Sequence, residues 1–277
     1  MKYKAIFSDY DGTLIGDDYI VSKENKDAIK SYVKNGGKFF MSTGRILKSI
    51  YPHILELGVD TDIAIVSQGA EIYDLKNKKM LKQTLVQMPQ LKKINDFIVS
   101  QLSFDDKLTP FMYIDDEIYF MDRNEESIKM FCGILKVDVN IIKTDLYDYA
   151  LERKALPSKV LVIVDPKYRD TFIENGNKLL GDEVVFCASR DFLIEIMPKG
   201  INKGEAVKYV CEKYDIMLDD VICVGDSDND LSMIEIAGLG VATGNAYDSV
   251  KKKAKYISTS CENSALADVI NKFCLEE

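Results

Sequence analysis

The chain has 277 residues, 47% of them hydrophobic, with 36 Lys and Arg against 45 Asp and Glu for a net charge of −9. That apolar content suffices for a large core and excludes a disordered chain, and the length accommodates two domains or one large one. The acidic balance argues against a general nucleic-acid binder, which needs a basic face, and any anionic ligand must be drawn in by a local cation.

The N-terminal apolar stretch is too short for a secretion signal, and no run approaches a bilayer span. A soluble, cytoplasmic protein is expected, either a monomer or a small homo-oligomer. The six cysteines form no C-x-x-C pair, and His53 is the only histidine. A zinc site or a Cys–His nucleophile is therefore not expected; the cysteines read as small apolar residues in a reducing compartment. No role is assigned to His53.

In chain order, Ala5 to Phe7 is a short apolar run ending at Asp9-Tyr10-Asp11-Gly12-Thr13. Ser22 suits the N-cap of a helix through Asn35, which Gly36-Gly37 ends. Lys38 to Met41 is a second apolar run, followed by Ser42-Thr43-Gly44-Arg45 and a helix from Arg45 to Leu57. Ile63 to Val66 and Val221 to Val224 are two more apolar runs. Short buried strands alternating with helices predict an α/β fold, a parallel sheet with helices on both faces. Ligands bind such sheets beyond the carboxyl ends of the strands.

The middle of the chain has another pattern. Leu91, Ile94, Ile98 and Leu102 share a helical face. Thr109 to Ile114 and Glu117 to Met121 alternate around Asp115-Asp116, as in a hairpin. A helix from Glu125 to Leu135, a strand from Lys159 to Val164 and a helix from Pro166 to Leu180 are predicted next. Strands at Glu183 to Cys187 and Phe192 to Met197 follow. An α+β module over 83–190 is therefore expected, inserted into a core formed by 1–82 and 191–277. Phe111, Tyr113 and Tyr119, at alternating strand positions, are read as packed inside this module.

Four stretches carry the chemistry. Asp9 and Asp11 stand two apart at a strand end, where mutual repulsion would cost about 4 kcal/mol at roughly 4 Å. Mg²⁺ removes that cost, since it takes one or two carboxylates plus substrate phosphate. Asp9 is then the candidate nucleophile and Asp11 the candidate acid and base. Gly12 permits a sharp turn, and Thr13 is expected to hold Asp11. Thr43 and Gly44, at a helix start, suit a phosphate oxygen. Lys203, between Asn202 and Gly204, supplies a compact cation for Asp9 and the transferring group. In Gly225-Asp226-Ser227-Asp228-Asn229-Asp230, Asp226 is the third metal ligand and Asn229 a phosphate donor. Asp230 orients waters or Lys203 from behind the ligands. An EF-hand loop is excluded, because its sixth and twelfth positions are Leu231 and Ala237. Singly, each stretch has an ordinary reading: an acidic Asp-Gly turn, a helix cap, a surface lysine. As a set they supply a whole phosphoryl-transfer site.

With these motifs, and with Gly240-Val241-Ala242-Thr243-Gly244-Asn245-Ala246 trailing them, the chain resembles the haloacid-dehalogenase-like hydrolases, specifically the Cof-type phosphatases with a large α/β cap. The resemblance implies a Rossmann-like core and a cap inserted between the second and third motifs. Such a cap closes over the site and selects the substrate. It implies metal ligation by Asp9, the Asp11 carbonyl and Asp226. It also implies phosphate contacts from the Tyr10 backbone, Thr43, Gly44, Lys203 and Asn229. Asn263-Ser264-Ala265 departs from the acidic-Gly pair of many relatives. The expected function is a Mg²⁺-dependent phosphatase for a small phosphorylated metabolite such as a sugar phosphate. A phosphomutase and a non-catalytic sensor of a phosphorylated ligand are the alternatives.

Overall fold

A computed structural model describes residues 2–275. The chain forms two units: one comprises the residues up to Gly44, Ile50–Lys82 and the chain from Asn202 onward; the other comprises Arg45–Ser49 and Gln83–Ile201.

The first unit opens with β1 (Ala5–Ser8), α1 (Lys23–Lys34) and β2 (Lys38–Ser42), takes α2 (Leu47–Leu57) from Ile50 onward, and continues with β3 (Ile63–Val66), β4 (Glu71–Asp74) and β5 (Lys79–Gln83) up to Lys82. Every side chain of β1 and β3 is buried, as strands covered on both faces require. Ser22 caps α1 by accepting from the Asn25 N–H at 3.1 Å, and Asn25, Ala28, Ile29 and Tyr32 form its buried face. Helix α2 begins at Leu47, later than the expected Arg45.

The second unit contains α3 (Met88–Gln101), β6 (Thr109–Ile114), β7 (Glu117–Met121), α4 (Glu125–Leu135), β8 (Asn140–Ile142), α5 (Leu146–Arg153), β9 (Lys159–Ile163), α6 (Pro166–Leu180), β10 (Val184–Arg190) and β11 (Leu193–Pro198). Its six strands run in the order β10-β11-β9-β6-β7-β8. Val160, Val162, Ile194 and Ile196 pack on one face with Phe97 of α3 and Phe172 of α6. Phe111, Phe120 and Leu161 pack on the other with Phe131 of α4 and with Ile46. That contact explains why Arg45–Ser49 belongs here: the Arg45 guanidinium donates to Ile134 O at 3.4 Å and Ser49 Oγ to Leu135 O at 3.3 Å, both at the carbonyl end of α4. Phe111, Tyr113 and Tyr119 are buried, as expected from their alternation.

The second junction differs from the expected 190/191. Strand β11 pairs antiparallel with both β9 and β10, so the chain stays in this unit to Ile201. A strand belongs to the sheet that satisfies its backbone, and cutting after 190 would orphan both ladders.

The chain then returns to the first unit with α7 (Lys203–Tyr214), β12 (Val221–Gly225), α8 (Leu231–Ile236), β13 (Leu239–Ala242), α9 (Asp248–Lys251), β14 (Tyr256–Ile257) and α10 (Ala265–Ile270). Eight strands run in the order β14-β13-β12-β1-β2-β3-β4-β5. From β14 to β3 the neighbours are parallel; β4 turns back antiparallel on β3. The expected α/β core with an inserted α+β module is thus present. Among the described residues, no helix is long and apolar enough to cross a membrane.

Candidate active site

Register brings the motifs together. In the parallel ladders Ser8 lies opposite Met41 on one side and Val224 on the other. One residue further, Asp9 therefore stands level with Ser42 and Gly225, at the carboxyl edge of the sheet. Its N–H donates to Val224 O at 2.9 Å, so its backbone direction is set by the last rung of the ladder.

Lys203 enters from α7. Asn202 caps that helix, its Oδ1 accepting from the Glu205 N–H at 2.9 Å. Gly204 lets the helix start lie close to α8: a Cβ there would sit 2.3 Å from Ser232 O. The Lys203 ammonium donates to Asp9 Oδ1 and to Asp230 Oδ1, both at 2.6 Å, with the lysine and Asp230 side chains fully buried and Asp9 8% exposed. The other Asp230 oxygen, Oδ2, accepts from the N–H groups of Asp226 at 2.9 Å and Ser227 at 3.1 Å. With both oxygens engaged, Asp230 orients Lys203 and the loop that carries Asp226.

One carboxylate oxygen from each of Asp9, Asp226 and Asp230 lies within 4.8 Å of the other two. Asp226 Oδ1 accepts from Thr13 Oγ1 at 2.9 Å, and Asp226 Oδ2 from Ser227 Oγ at 3.1 Å. Thr13 thus holds Asp226, where the sequence suggested that it would hold Asp11. Gly12 has φ +73°, and a Cβ there would meet Asp226 Oδ2 at 2.7 Å. Its carbonyl accepts from Asn245 Nδ2 at 2.8 Å, and Asn245 Oδ1 accepts from the Cys261 N–H at 2.8 Å. Asn245 is a structural support that the residue chemistry did not point to.

The electrostatics are unbalanced toward negative charge. Burial pushes the Asp9 carboxyl well above the usual carboxylate range; Lys203 opposes the push, while Asp230, Asp226 and Asp11 add to it. Burial and then Asp230 push Asp226 up to about 7, against the hydrogen bond from Thr13 and the pull of Lys203. Burial pulls the Lys203 ammonium down, but Asp230 and Asp9 together outweigh it and hold its pKa above the ordinary lysine value. Lys203 is therefore charged, and a single ammonium does not offset the surrounding carboxylates. An all-oxygen donor set with surplus negative charge fits a hard divalent cation.

The remaining predicted residues lie along the same edge. Thr43 is buried; its N–H donates to Ile65 O at 2.9 Å, and its carbonyl accepts from the Gln68 N–H at 3.0 Å. Because α2 begins only at Leu47, Thr43 and Gly44 sit in a loop and not at a helix start. The Tyr10 carbonyl accepts from the Leu14 and Ile15 N–H groups, both at 3.0 Å. Its ring is buried against His53 at 5.2 Å between centroids, so the chain's lone histidine packs beside the loop that follows Asp9. Asp11 is half-buried and bridges to Ile15. Asn229 Oδ1 is buried without a hydrogen-bond partner.

The family model of the haloacid dehalogenase-like hydrolases matches residues 6–270. The chain belongs to the haloacid dehalogenase-like hydrolases. This hydrolase is 28% identical to the 5-amino-6-(5-phospho-D-ribitylamino)uracil phosphatase YwtE of Bacillus subtilis, over 97% of each chain. It superposes on TM0651 from Thermotoga maritima with a TM-score of 0.82 at 26% identity, covering 99% of this chain and 100% of that one. The sugar phosphatase BT4131, of subclass IIB, has the same fold: TM-score 0.83 at 20% identity, over 99% of this chain and 100% of that one. The family resemblance carried by the four motifs is therefore correct, and so is the expectation of an enzyme.

Proposed function

We propose that this hydrolase is a Mg²⁺-dependent phosphatase that passes the phosphoryl group of a small metabolite to Asp9 and then to water. The observation that carries the reading is the buried Lys203 ammonium shared by Asp9 and Asp230 beside Asp226. Asp9, the Asp11 carbonyl and Asp226 would hold Mg²⁺, which when bound neutralises phosphate charge and screens the carboxylates from one another. The Asp9 carboxylate attacks phosphorus, forming an aspartyl-phosphate as the ester oxygen leaves. Asp11 gives that oxygen its proton, then accepts one from the water that cleaves the intermediate. Lys203 fixes Asp9 and offsets charge on the transferring group. The Tyr10 N–H, Thr43, Gly44 and Asn229 hold the remaining phosphate oxygens. We further propose that the unit built on the six-stranded sheet controls substrate access, and that the enzyme works in the cytoplasm.

For the substrate we propose a phosphorylated sugar or polyol. Two relatives at 28% identity, YwtE and YcsE of Bacillus subtilis, are phosphatases of a phosphoribitylamino compound, which supports a polyol phosphate.

The test is hydrolysis of an aryl phosphate and of a panel of sugar and polyol phosphates in H₂¹⁸O. Activity is expected with Mg²⁺ and none after chelation with EDTA, returning when Mg²⁺ is restored. Released phosphate should carry one ¹⁸O per turnover; phosphate transfer to a second hydroxyl without label would instead mean a mutase. Gly12→Ala tests the Asp226 assignment. Its Cβ has no room beside Asp226 Oδ2, so the Mg²⁺ concentration for half-maximal activity should rise about tenfold to a hundredfold. An unchanged Mg²⁺ requirement in a folded variant would remove Asp226 from the ligand set.

A further inference from the structure

Between β3 and β4 the backbone does something costly. Ser67 and Gln68 are consecutive non-glycine residues with φ of +51° and +60°, followed by Gly69 at +93°. All three are buried. Left-handed backbone at two neighbouring side-chain-bearing residues persists only where the surroundings enforce it, and such strain concentrates at functional sites.

The surroundings here are two of the phosphoryl-transfer motifs. The Thr43 N–H donates to Ile65 O at 2.9 Å and the Gln68 N–H donates to Thr43 O at 3.0 Å, so the end of β3 and the turn after it hold both backbone polar groups of Thr43. Gln68 extends its carboxamide along Gly44: a Cβ on Gly44 would lie 2.6 Å from Gln68 Nε2. On the far side of the turn, a Cβ on Gly69 would lie 2.6 Å from Asn202 O. Asn202 caps the helix whose first residue is Lys203. Ser67 Oγ donates to Glu71 Oε2 at 2.8 Å, anchoring the turn to β4. One strained turn therefore touches both the Thr43–Gly44 segment and the start of α7.

We infer that Gln68 is a positioning residue for phosphate recognition: its left-handed turn and its amide packed on Gly44 set the Thr43–Gly44 segment in the conformation that receives the phosphate. The inference deepens the phosphatase reading and rests on it for the identity of the ligand. A segment that grips phosphate equally in the ground and transition states contributes to substrate binding more than to turnover. The effect of losing Gln68 should therefore fall on KM.

Three variants test this. Gln68→Leu keeps the bulk and removes the amide. Gln68→Gly removes the amide while suiting the left-handed backbone, so it folds where the leucine variant fails. Gln68→Asn retains a shorter amide on a residue that tolerates positive φ. With an aryl phosphate and Mg²⁺, the leucine and glycine variants are expected to raise KM about tenfold, with kcat within about threefold of the parent. Inorganic phosphate should bind more weakly by the same factor in calorimetry, and Gln68→Asn should recover part of the loss. Parent-like KM and phosphate affinity in Gln68→Gly would overturn the inference, as would a fall in kcat alone. The calorimetric arm needs no turnover. A parent protein that binds phosphate but hydrolyses no ester would sink the phosphatase reading and leave the Gln68 comparison intact.

Discussion

Asp9→Asn is expected to abolish phosphatase activity, lowering kcat by at least about 10⁴-fold, or roughly 5.5 kcal/mol in the barrier. An amide oxygen cannot take the place of the carboxylate that the proposed mechanism uses as nucleophile, and among the described residues no other carboxylate is held on the Lys203 ammonium with an oxygen to spare. Asp230, the other partner of Lys203, has its second oxygen committed to the Asp226 and Ser227 N–H groups. Folding should respond in the opposite direction. The parent crowds Asp9, Asp226 and Asp230 around one ammonium, and burial makes that excess charge unfavourable. Replacing Asp9 by the near-isosteric Asn removes one negative charge and leaves an oxygen to accept from Lys203. The metal-free variant should then be as stable as the parent or more stable, by on the order of 1 to 2 kcal/mol. Steady-state kinetics and urea unfolding in EDTA read the two effects separately. Substantial residual turnover in this variant would take Asp9 out of the mechanism.

That contrast between activity and stability also explains what the amino-acid sequence could reveal. Strand ends were legible because short runs such as Ile63–Val66 are continuously apolar and are broken by residues that a core rejects. Asp9, Thr43 and Asp226 were legible as chemistry because carboxylates and hydroxyls at those breaks need a reason. Partnerships were not legible. Thr13 meets Asp226 across 213 residues of sequence, and Lys203 meets Asp9 across 194; nothing local to Thr13 distinguishes Asp226 from Asp11 as its acceptor. Strand β11 was visible as an alternating segment, but its sheet was decided by ladders to β9 and β10 that lie elsewhere in the chain. The turn at Ser67-Gln68-Gly69 was missed for another reason. Left-handed conformation at Ser and Gln carries no compositional signature, since the surrounding fold enforces it against their preference. Arg45, expected inside α2, stands before its first residue and donates to Ile134 O at the carbonyl end of α4, a contact that only the folded chain presents.

Lys203→Met should damage both properties at once. The side chain is fully buried and ion-paired at 2.6 Å to Asp9 and to Asp230. Removing the cation leaves those carboxylates and Asp226 facing one another without a counter-charge. Deleting one partner of a buried pair typically costs about 3 to 5 kcal/mol, a large share of the roughly 5 to 15 kcal/mol that holds a domain folded. The loss should appear as a lower urea midpoint in EDTA. Mg²⁺ should restore part of it, because a cation that binds only the folded state stabilises by mass action. Turnover should fall about 10²- to 10³-fold even with saturating Mg²⁺, since the proposed mechanism loses the ammonium that would meet the developing charge. The double variant Lys203→Met with Asp230→Asn separates charge balance from catalysis. Neutralising Asp230 relieves the repulsion, so stability should recover in part while activity stays low, and the two substitutions should be strongly non-additive in stability because they share one contact. A Lys203→Met protein as stable as the parent in EDTA would mean that the carboxylates do not rely on this ammonium, and the electrostatic account of the site would fall with it.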